Sequence, residues 1–438
     1  MAPPVCTETE AEREAAASYR RLMVASSFGT AIEWYDFFVY ALVAPLAFDF
    51  IFFPRLNLLV GTIAVYSSFA VGFIARPLGG IFFGHFGDRT GRKTILLTTI
   101  LTMGVSTTAI GLLPGYARIG ISAPILLVAL RFLQGFALGG ESIGAVVLAI
   151  ESAPGGRRGF YAAVLQASGP ISIVAASLVV SALSPLPTAS FLAWGWRIPF
   201  LLSSILVGVG AYMRANIEES ALFARQAARH RETQAPLALV LQEAKGATLI
   251  TLIVCLAETA FFYLTTIFAV GYGTRALGIR QTVLTTAFLV ANCVATLTVP
   301  LFGALSDRVG RRPMLVAGLL AACAHIYPFF RILGGKNPLW ASAAIVLAAG
   351  FIHPVMFSAE ASFVPELFAT EVRVTGASLG KQIGTVLGGG LAPLVATSLI
   401  GWKHGSTTPV VLYFLAIGMP AMVAAVAARE TSSLSLEE

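Results

Sequence analysis

The sequence predicts an all-α membrane protein of twelve transmembrane helices in two six-helix halves, N- and C-termini cytoplasmic, and three observations carry that expectation. The 438 residues are 57% hydrophobic and only 12% charged, with a mean hydropathy of +0.81, too little charge to cover a soluble surface. Mostly apolar runs of ~18 residues or more recur along the whole length, each long enough to cross a bilayer as a helix. One charged motif occurs twice, half a chain length apart. In lipid every backbone N–H and C=O must be satisfied internally. A closed barrel would also do this, but the runs are too long for barrel strands and lack period-two alternation.

Taken in order, residues 1–21 are polar and mixed in charge (Glu8, Glu10, Glu12, Arg13, Glu14, Arg20, Arg21), which fits a cytoplasmic tail and not a cleavable signal. Spans are expected at about 22–51, 58–84, 94–114, 122–150, 160–183 and 195–214, forming an N-terminal bundle over 22–214. The longest polar stretch, 215–245, carries Glu218, Glu219, Arg225, Arg229, Arg231 and Glu232 and reads as a solvated cytoplasmic linker. Further spans at 246–272, 282–304, 314–333, 339–364, 374–400 and 409–428 form a C-terminal bundle over 246–428, and 429–438 is a second cytoplasmic tail. An even number of spans puts both termini on one side. Most of the 29 Lys and Arg fall in the segments on that side, which places it in the cytoplasm. Trp194, Trp196 and Trp402 fall near the outer boundary, where interfacial aromatics belong.

Several function classes drop out. The net charge of +7 does not point to nucleic acid, because the basic residues sit in short loops between apolar spans. Cys6, Cys255, Cys293 and Cys323 form no CxxC and no metal-ligand spacing, so no metal and no cofactor is expected. There is no hydrolytic triad and no Gly-Lys-Ser/Thr phosphate loop, which argues against an enzyme and against a nucleotide-driven pump.

The repeated motif is Gly84-His-Phe-Gly-Asp88-Arg89-Thr-Gly91-Arg92-Lys93 after the second span and Gly303-Ala-Leu-Ser-Asp307-Arg308-Val-Gly310-Arg311-Arg312 after the eighth. A second repeated pair follows spans four and ten: Glu151 with Arg158, and Glu366 with Arg373, each seven residues apart. Parallel six-helix repeats place a site near the midplane, between halves that rock to alternate access.

The repeated G-x-x-x-D-R-x-G-R-[KR] resembles the signature loop of the major facilitator superfamily. Glu33-Trp34-Tyr35-Asp36-Phe37, Arg76-Pro77-Leu78-Gly79-Gly80, Arg131-Phe-Leu-Gln134-Gly135-Phe-Ala-Leu-Gly139-Gly140-Glu141, Trp194-Gly195-Trp196-Arg197-Ile198-Pro199-Phe200 and Pro365-Glu366-Leu367-Phe368 to Gly376 are similar to motifs of the metabolite:proton symporter family. That resemblance implies proton-driven uptake of a small organic acid or related polar metabolite across a bacterial inner membrane. Shikimate-like acids, di- and tricarboxylates and zwitterions are all within the family's range. The expected partners are the metabolite, protons and the bilayer, with the chain a monomer. Two alternatives remain open at this point. A proton-coupled exporter or a facilitator of the same fold differs only in the direction or presence of coupling. A metabolite sensor usually needs a signalling domain, and only a short tail follows Arg429.

Roles follow from chemistry. Gly87 and Gly91 permit close approach and unusual dihedrals in the loop. Asp88 can accept from the free N–H groups at a helix start, expected at span eleven. Arg89 and Arg92 can bind Glu151 or helix C-terminal carbonyls, and Asp307, Arg308, Arg311 and Glu366 would do the same in the other half, with Arg373 beside them. Simple anchoring needs only the basic residues. The repeated acid favours a gate.

Charges inside the membrane cost roughly 2.5–3.5 kcal/mol each at its centre, so those present argue for function or pairing. At ~1.5 Å per residue Asp36 comes ~21 Å from the inner start of its span and Arg131 ~13 Å from the outer start of its own, close enough to pair. Arg76 and Glu141 both come ~12 Å from the inner ends of their spans and form a second expected pair. Glu33 and Asp36, spaced i, i+3 on one helix face, are the expected proton-binding acids. Two neighbouring carboxylates hold a proton more tightly and an approaching Arg131 loosens it, so their relative movement can switch proton affinity. Arg76 or Arg131 can instead hold a substrate carboxylate. Glu258, in mid span seven, can serve proton or substrate. Tyr35, Gln134, Gln166, Tyr263 and Gln382 are candidate hydrogen-bonding groups for a polyhydroxy acid, each weighed against plain helix packing. Glu360 and Lys381 can pair near the inner ends of spans ten and eleven, and His325 and His353 read first as satisfied core residues. Gly169-Pro170 and Gly384, Gly388, Gly389 and Gly390 let helices approach and bend.

Overall fold

Apolar runs in a solvent without hydrogen-bonding partners close their backbone bonds locally, and helices result. The computed structural model describes residues 10–90, 92–140, 144–151, 153, 156–183, 185–216, 240, 242–370, 372–403 and 405–433, and among these every regular element is helical. The long helices are α1 (Glu10–Phe52), α2 (Leu58–Thr90), α3 (Arg92–Leu112), α4 (Ser122–Gly140), α5 (Arg158–Leu183) and α6 (Ile198–Asn216). The second half repeats the pattern in α7 (Lys245–Arg275), α8 (Gln281–Val309), α9 (Arg311–Gly334), α10 (Pro338–Glu366), α11 (Arg373–Trp402) and α12 (Thr408–Ala427). A short helix follows at Gly144–Glu151. Ten described helices are long and apolar enough to cross a membrane, and shorter apolar stretches lie at Leu97–Leu112 and Gly195–Gly210. Large apolar side chains stand exposed on many helices, among them Val105, Ile125, Ile205, Leu297, Leu320 and Val423, as a lipid-facing surface requires.

Glycine sets the closest helix contacts. A Cβ on Gly79 would stand 1.8 Å from the Phe136 carbonyl oxygen, one on Gly135 1.9 Å from that of Gly72, and one on Gly139 1.9 Å from that of Arg76. α2 and α4 therefore touch backbone to backbone. On α11 the row Gly380, Gly384, Gly388 lies against the carbonyls of Thr248, Leu252 and Leu256 on α7. Between the halves, Gly159 of α5 meets Gly303 of α8, whose Cβ would stand 2.7 Å from the Gly159 carbonyl oxygen.

Two details differ from expectation. Trp196 is not an interfacial residue: it is fully buried among Phe48, Phe52 and Phe200, while Trp194 and Trp402 are exposed. The motif is not a loop either. α8 runs helically through Asp307 and Arg308 and turns at the single residue Gly310 (φ +107°) into α9, and in the first copy Gly87 is already helical. A side chain at Gly310 would be strained in this conformation. Three π turns interrupt the second half, at Leu264–Phe268 in α7, Ala348–Ile352 in α10 and Val386–Gly390 in α11.

Candidate functional site

The α2–α4 contact carries two arginines inward. Gly72 leaves room for the Arg131 side chain, whose Nε would lie 2.6 Å from a Cβ there. Arg131 is fully buried, and Arg76 nearly so. Both guanidinium groups lie over the Phe37 ring, at 4.4 Å for Arg76 and 4.5 Å for Arg131. Phe73 adds a second face for Arg76 at 4.4 Å, and Tyr40 another for Arg131 at 4.2 Å. Such contacts contribute about 0.5–2 kcal/mol each and offset part of the cost of burial. Arg131 Nη1 donates to Gln134 Oε1 at 2.5 Å. The Nε and Nη2 groups of both arginines have no hydrogen-bond partner among the described residues. No described carboxylate forms an ion pair with either. Two like charges that feel each other are buried with donors to spare, an environment that favours an anion.

The expected Asp36–Arg131 pair does not form; Arg131 is held by Gln134 instead. Its amide nitrogen donates to the Asp36 backbone carbonyl at 3.2 Å and to Thr107 Oγ1 at 2.7 Å, while its oxygen holds Arg131. The Asp36 carboxylate is buried with the Ser203 and Thr107 hydroxyls beside it, and neither of its oxygens meets a donor in hydrogen-bond geometry among the described residues. Glu33 is buried on the same helix. Tyr35 turns elsewhere and donates to the Pro199 carbonyl at 3.1 Å, so it joins α1 to α6 and does not reach the arginines. Gln166 is half-buried at the break in α5, without a hydrogen bond to the arginines, and Gln382 is likewise half-buried. Glu141 lies outside the described residues, as do the side chains of Asp88, Arg89 and Arg92.

Tyr263 closes the arginine space from the second half. It packs on Phe38, Phe69 and Phe73, with ring centroids 6.4, 5.7 and 5.6 Å away. Arg76, Arg131 and Glu258 are the charges it feels. Five residues before it on α7, Glu258 accepts from His353 Nε2 of α10 at 2.5 Å and from Thr259 Oγ1 at 2.8 Å. His353 is thus partnered by an acid rather than by a core carbonyl. A lone histidine in an apolar span carries no sign of this. His325, in contrast, reaches the Ala344 carbonyl at 3.4 Å. Lys381 and Glu360 pair at 3.1 Å.

At the motif end, Asp307 accepts the backbone N–H groups of Gly159 at 2.8 Å and Phe160 at 2.9 Å, so an acid of α8 caps the start of α5 in the other half. Arg311 donates to Asp307 at 2.7 Å and lies 3.5 Å from Glu366. Arg373 donates to Glu151 at 2.7 Å, a second tie between halves, whereas Arg308 is exposed with no ion pair among the described residues. Glu430, just beyond α12, accepts the N–H groups of Arg311 and Arg312 at 2.9 and 3.1 Å. The opposite end holds a pair that sequence reasoning missed. Arg275 of α7 donates to both Asp49 oxygens, at 2.5 and 2.9 Å, and to Thr62 at 3.3 Å. Beneath it lies a largely apolar cavity of about 290 Å³ bounded by Tyr66, Phe268, Tyr272 and Ile400.

Residues 26–393 match the family described as Major Facilitator Superfamily. The chain is 38% identical over 402 residues to the "Shikimate transporter" of Escherichia coli (strain K12), covering 91% of each chain. It is 38% identical over 425 residues, 96% of each chain, to an inner membrane metabolite transport protein of the same organism. The solved proton:xylose symporter bound to 6-bromo-6-deoxy-D-glucose superposes with a TM-score of 0.71 at 15% identity, over 97% of this chain and 98% of its own.

Proposed function

This chain belongs to the Major Facilitator Superfamily, a family of multi-pass membrane transporters and not enzymes, and within it we propose that the protein is a proton-coupled symporter taking up a small organic anion. The observation that carries the reading is the pair Arg76 and Arg131, whose Nε and Nη2 donors around the Phe37 ring have no partner among the described residues. A carboxylate would meet both, and Tyr263 and the backbone-linked Gln134 would fix its orientation. The relative named for shikimate, an organic acid, supports that substrate class.

In this reading twelve helices span a bacterial inner membrane with both termini in the cytoplasm, as the placement of Lys and Arg supports. The motif end is cytoplasmic. Asp307 on the start of α5 and Arg373 on Glu151 hold it shut, and Asp49–Arg275 holds the outer end. The side chains of Asp88, Arg89 and Arg92 would complete the inner lock by the repeat symmetry. Alternating access breaks one set of ties while the other stays closed.

The test is uptake by purified protein in liposomes under an imposed inward proton gradient. The panel is labelled shikimate, protocatechuate, 2-oxoglutarate, citrate, proline and betaine. Gradient-driven accumulation of a carboxylate is the expected result. Uptake indifferent to the gradient would make the protein a facilitator, and gradient-driven loss of a preloaded compound would make it an exporter. Either would overturn the symport reading. Accumulation of proline or betaine alone would overturn the anion assignment.

A further inference from the structure

We propose that the coupling proton is carried in the C-terminal half, on the buried Glu258–His353 pair, apart from the two arginines that receive the substrate anion. The inference rests on the symport reading above and adds where the proton sits and why it travels with the anion.

The pair spans two helices, Glu258 on α7 and His353 on α10, and its members are 2.5 Å apart. The second Glu258 oxygen is taken by Thr259, and the imidazole is held by Phe262 at 4.6 Å and Phe357 at 5.1 Å between ring centroids. The geometry is therefore fixed by packing. No Lys or Arg forms an ion pair with Glu258 among the described residues, and Lys381, whose charge reaches it, is paired with Glu360, so in this proposal the neutralising charge is a proton shared with the imidazole. With that proton the pair is neutral overall. Without it a carboxylate stays buried on hydrogen bonds alone. Taking up one proton from outer water and giving it to inner water moves one charge and leaves the pair as it began.

The surrounding charges are few. Cys255 and Tyr263 lie on α7 itself, Glu360 on α10 and Lys381 on α11, the last two already tied to each other. Packed against the pair, α8 presents Phe288. Across the halves the charges are Arg76 and Arg131, which act on the Tyr263 that also faces Glu258. Tyr263 is thus the neighbour that the arginine site and the proton pair share. Coupling would run through that ring: an anion on the arginines favours the proton on the pair, and by linkage the proton favours the anion. The π turn at Ala348–Ile352 runs up to His353, and the one at Leu264–Phe268 begins after Tyr263, so His353 and Tyr263 each adjoin a break where a helix can re-aim a side chain.

The experiment uses liposomes holding a trapped pH dye and the panel compound that wild-type protein accumulates, and it reads protons moved per substrate moved. Because it is a ratio, it does not depend on how much protein folds. In H353Q and in E258Q the ratio is expected to fall to near zero while substrate still moves down its own gradient. A wild-type ratio in both variants, or loss of the ratio in D36N instead, overturns the inference. Should a variant move no substrate, a second measurement decides. Adding substrate to purified wild-type protein in weakly buffered detergent is expected to take up protons, and H353Q and E258Q should bind without that uptake. Proton uptake at the wild-type level in either variant overturns the inference. Wild-type protein that moves no protons with any panel compound overturns the symport reading itself, and the inference with it.

Discussion

Arg131 is held in place by rings and one glutamine, not by an acid, and that decides what its loss should do. A lysine there keeps the charge but not the planar fork, so Arg131→Lys should weaken substrate binding by roughly tenfold or more, about 1.4 kcal/mol. Isothermal titration or substrate-dependent thermal shift would check it, and unchanged affinity would remove Arg131 from the site. Gln134→Leu frees Arg131 to reach Asp36, and the expected result is a loss of binding through a new internal ion pair, reversed by adding Asp36→Asn. Charges within apolar spans made Arg76 and Arg131 legible from sequence alone, because burial of a charge is costly enough to demand a reason. Tyr35, Gln134 and His353 were not. A polar side chain on an apolar helix gives no sign whether a carbonyl, an acid or a ligand will satisfy it, and here the three found one backbone carbonyl, one arginine and one glutamate.

Helix pairs show a contrast between the halves. α2 and α4 meet so closely that Gly79→Ala should cost about 1–3 kcal/mol of stability by overpacking, visible as a lower melting temperature of the purified protein; an unchanged one would mean the contact yields freely. The spacing of glycines in the sequence hinted at such faces, but which helix each face meets is a property of the assembled bundle. The π turns were not legible at all, since they belong to no residue type and arise where neighbouring helices compete for register. The tail after α12 adds a clasp. Burial by itself would raise the Glu430 carboxyl, yet the N–H groups of Ser432, Arg311 and Arg312 hold it below the usual glutamate value. A depressed folded value means that the clasp contributes fully above the unfolded glutamate pKa and is lost as pH falls through the depressed one. At neutral pH, Glu430→Gln should therefore speed amide exchange at Arg311 and Arg312, and unchanged protection there would show that the clasp is idle.

Across the whole molecule, the ties at the two ends join the same two halves. Asp49 and Arg275 come from opposite halves and each looked like an ordinary boundary charge, so their pairing could not be read from the chain. In a cysteine-free background carrying Tyr66→Cys, either Asp49→Asn or Arg275→Gln should raise labelling from the outer side. The swap of Asp49→Arg with Arg275→Asp should bring it back down. Equal labelling in all of these would show that the pair does not gate the cavity beneath it. The motif end was legible further ahead, because the repeat placed an acid of one half opposite a helix start of the other, and Asp307 on Gly159 and Phe160 has that arrangement. In the proposed cycle, Asp49–Arg275 and Arg373–Glu151, both made at once here, would be the two closed doors of an airlock. A cell membrane charged by its proton gradient loses that store through any pore open at both faces, even briefly. A carrier that must pass through a sealed chamber on every cycle can let a metabolite through without discharging the battery that drives it.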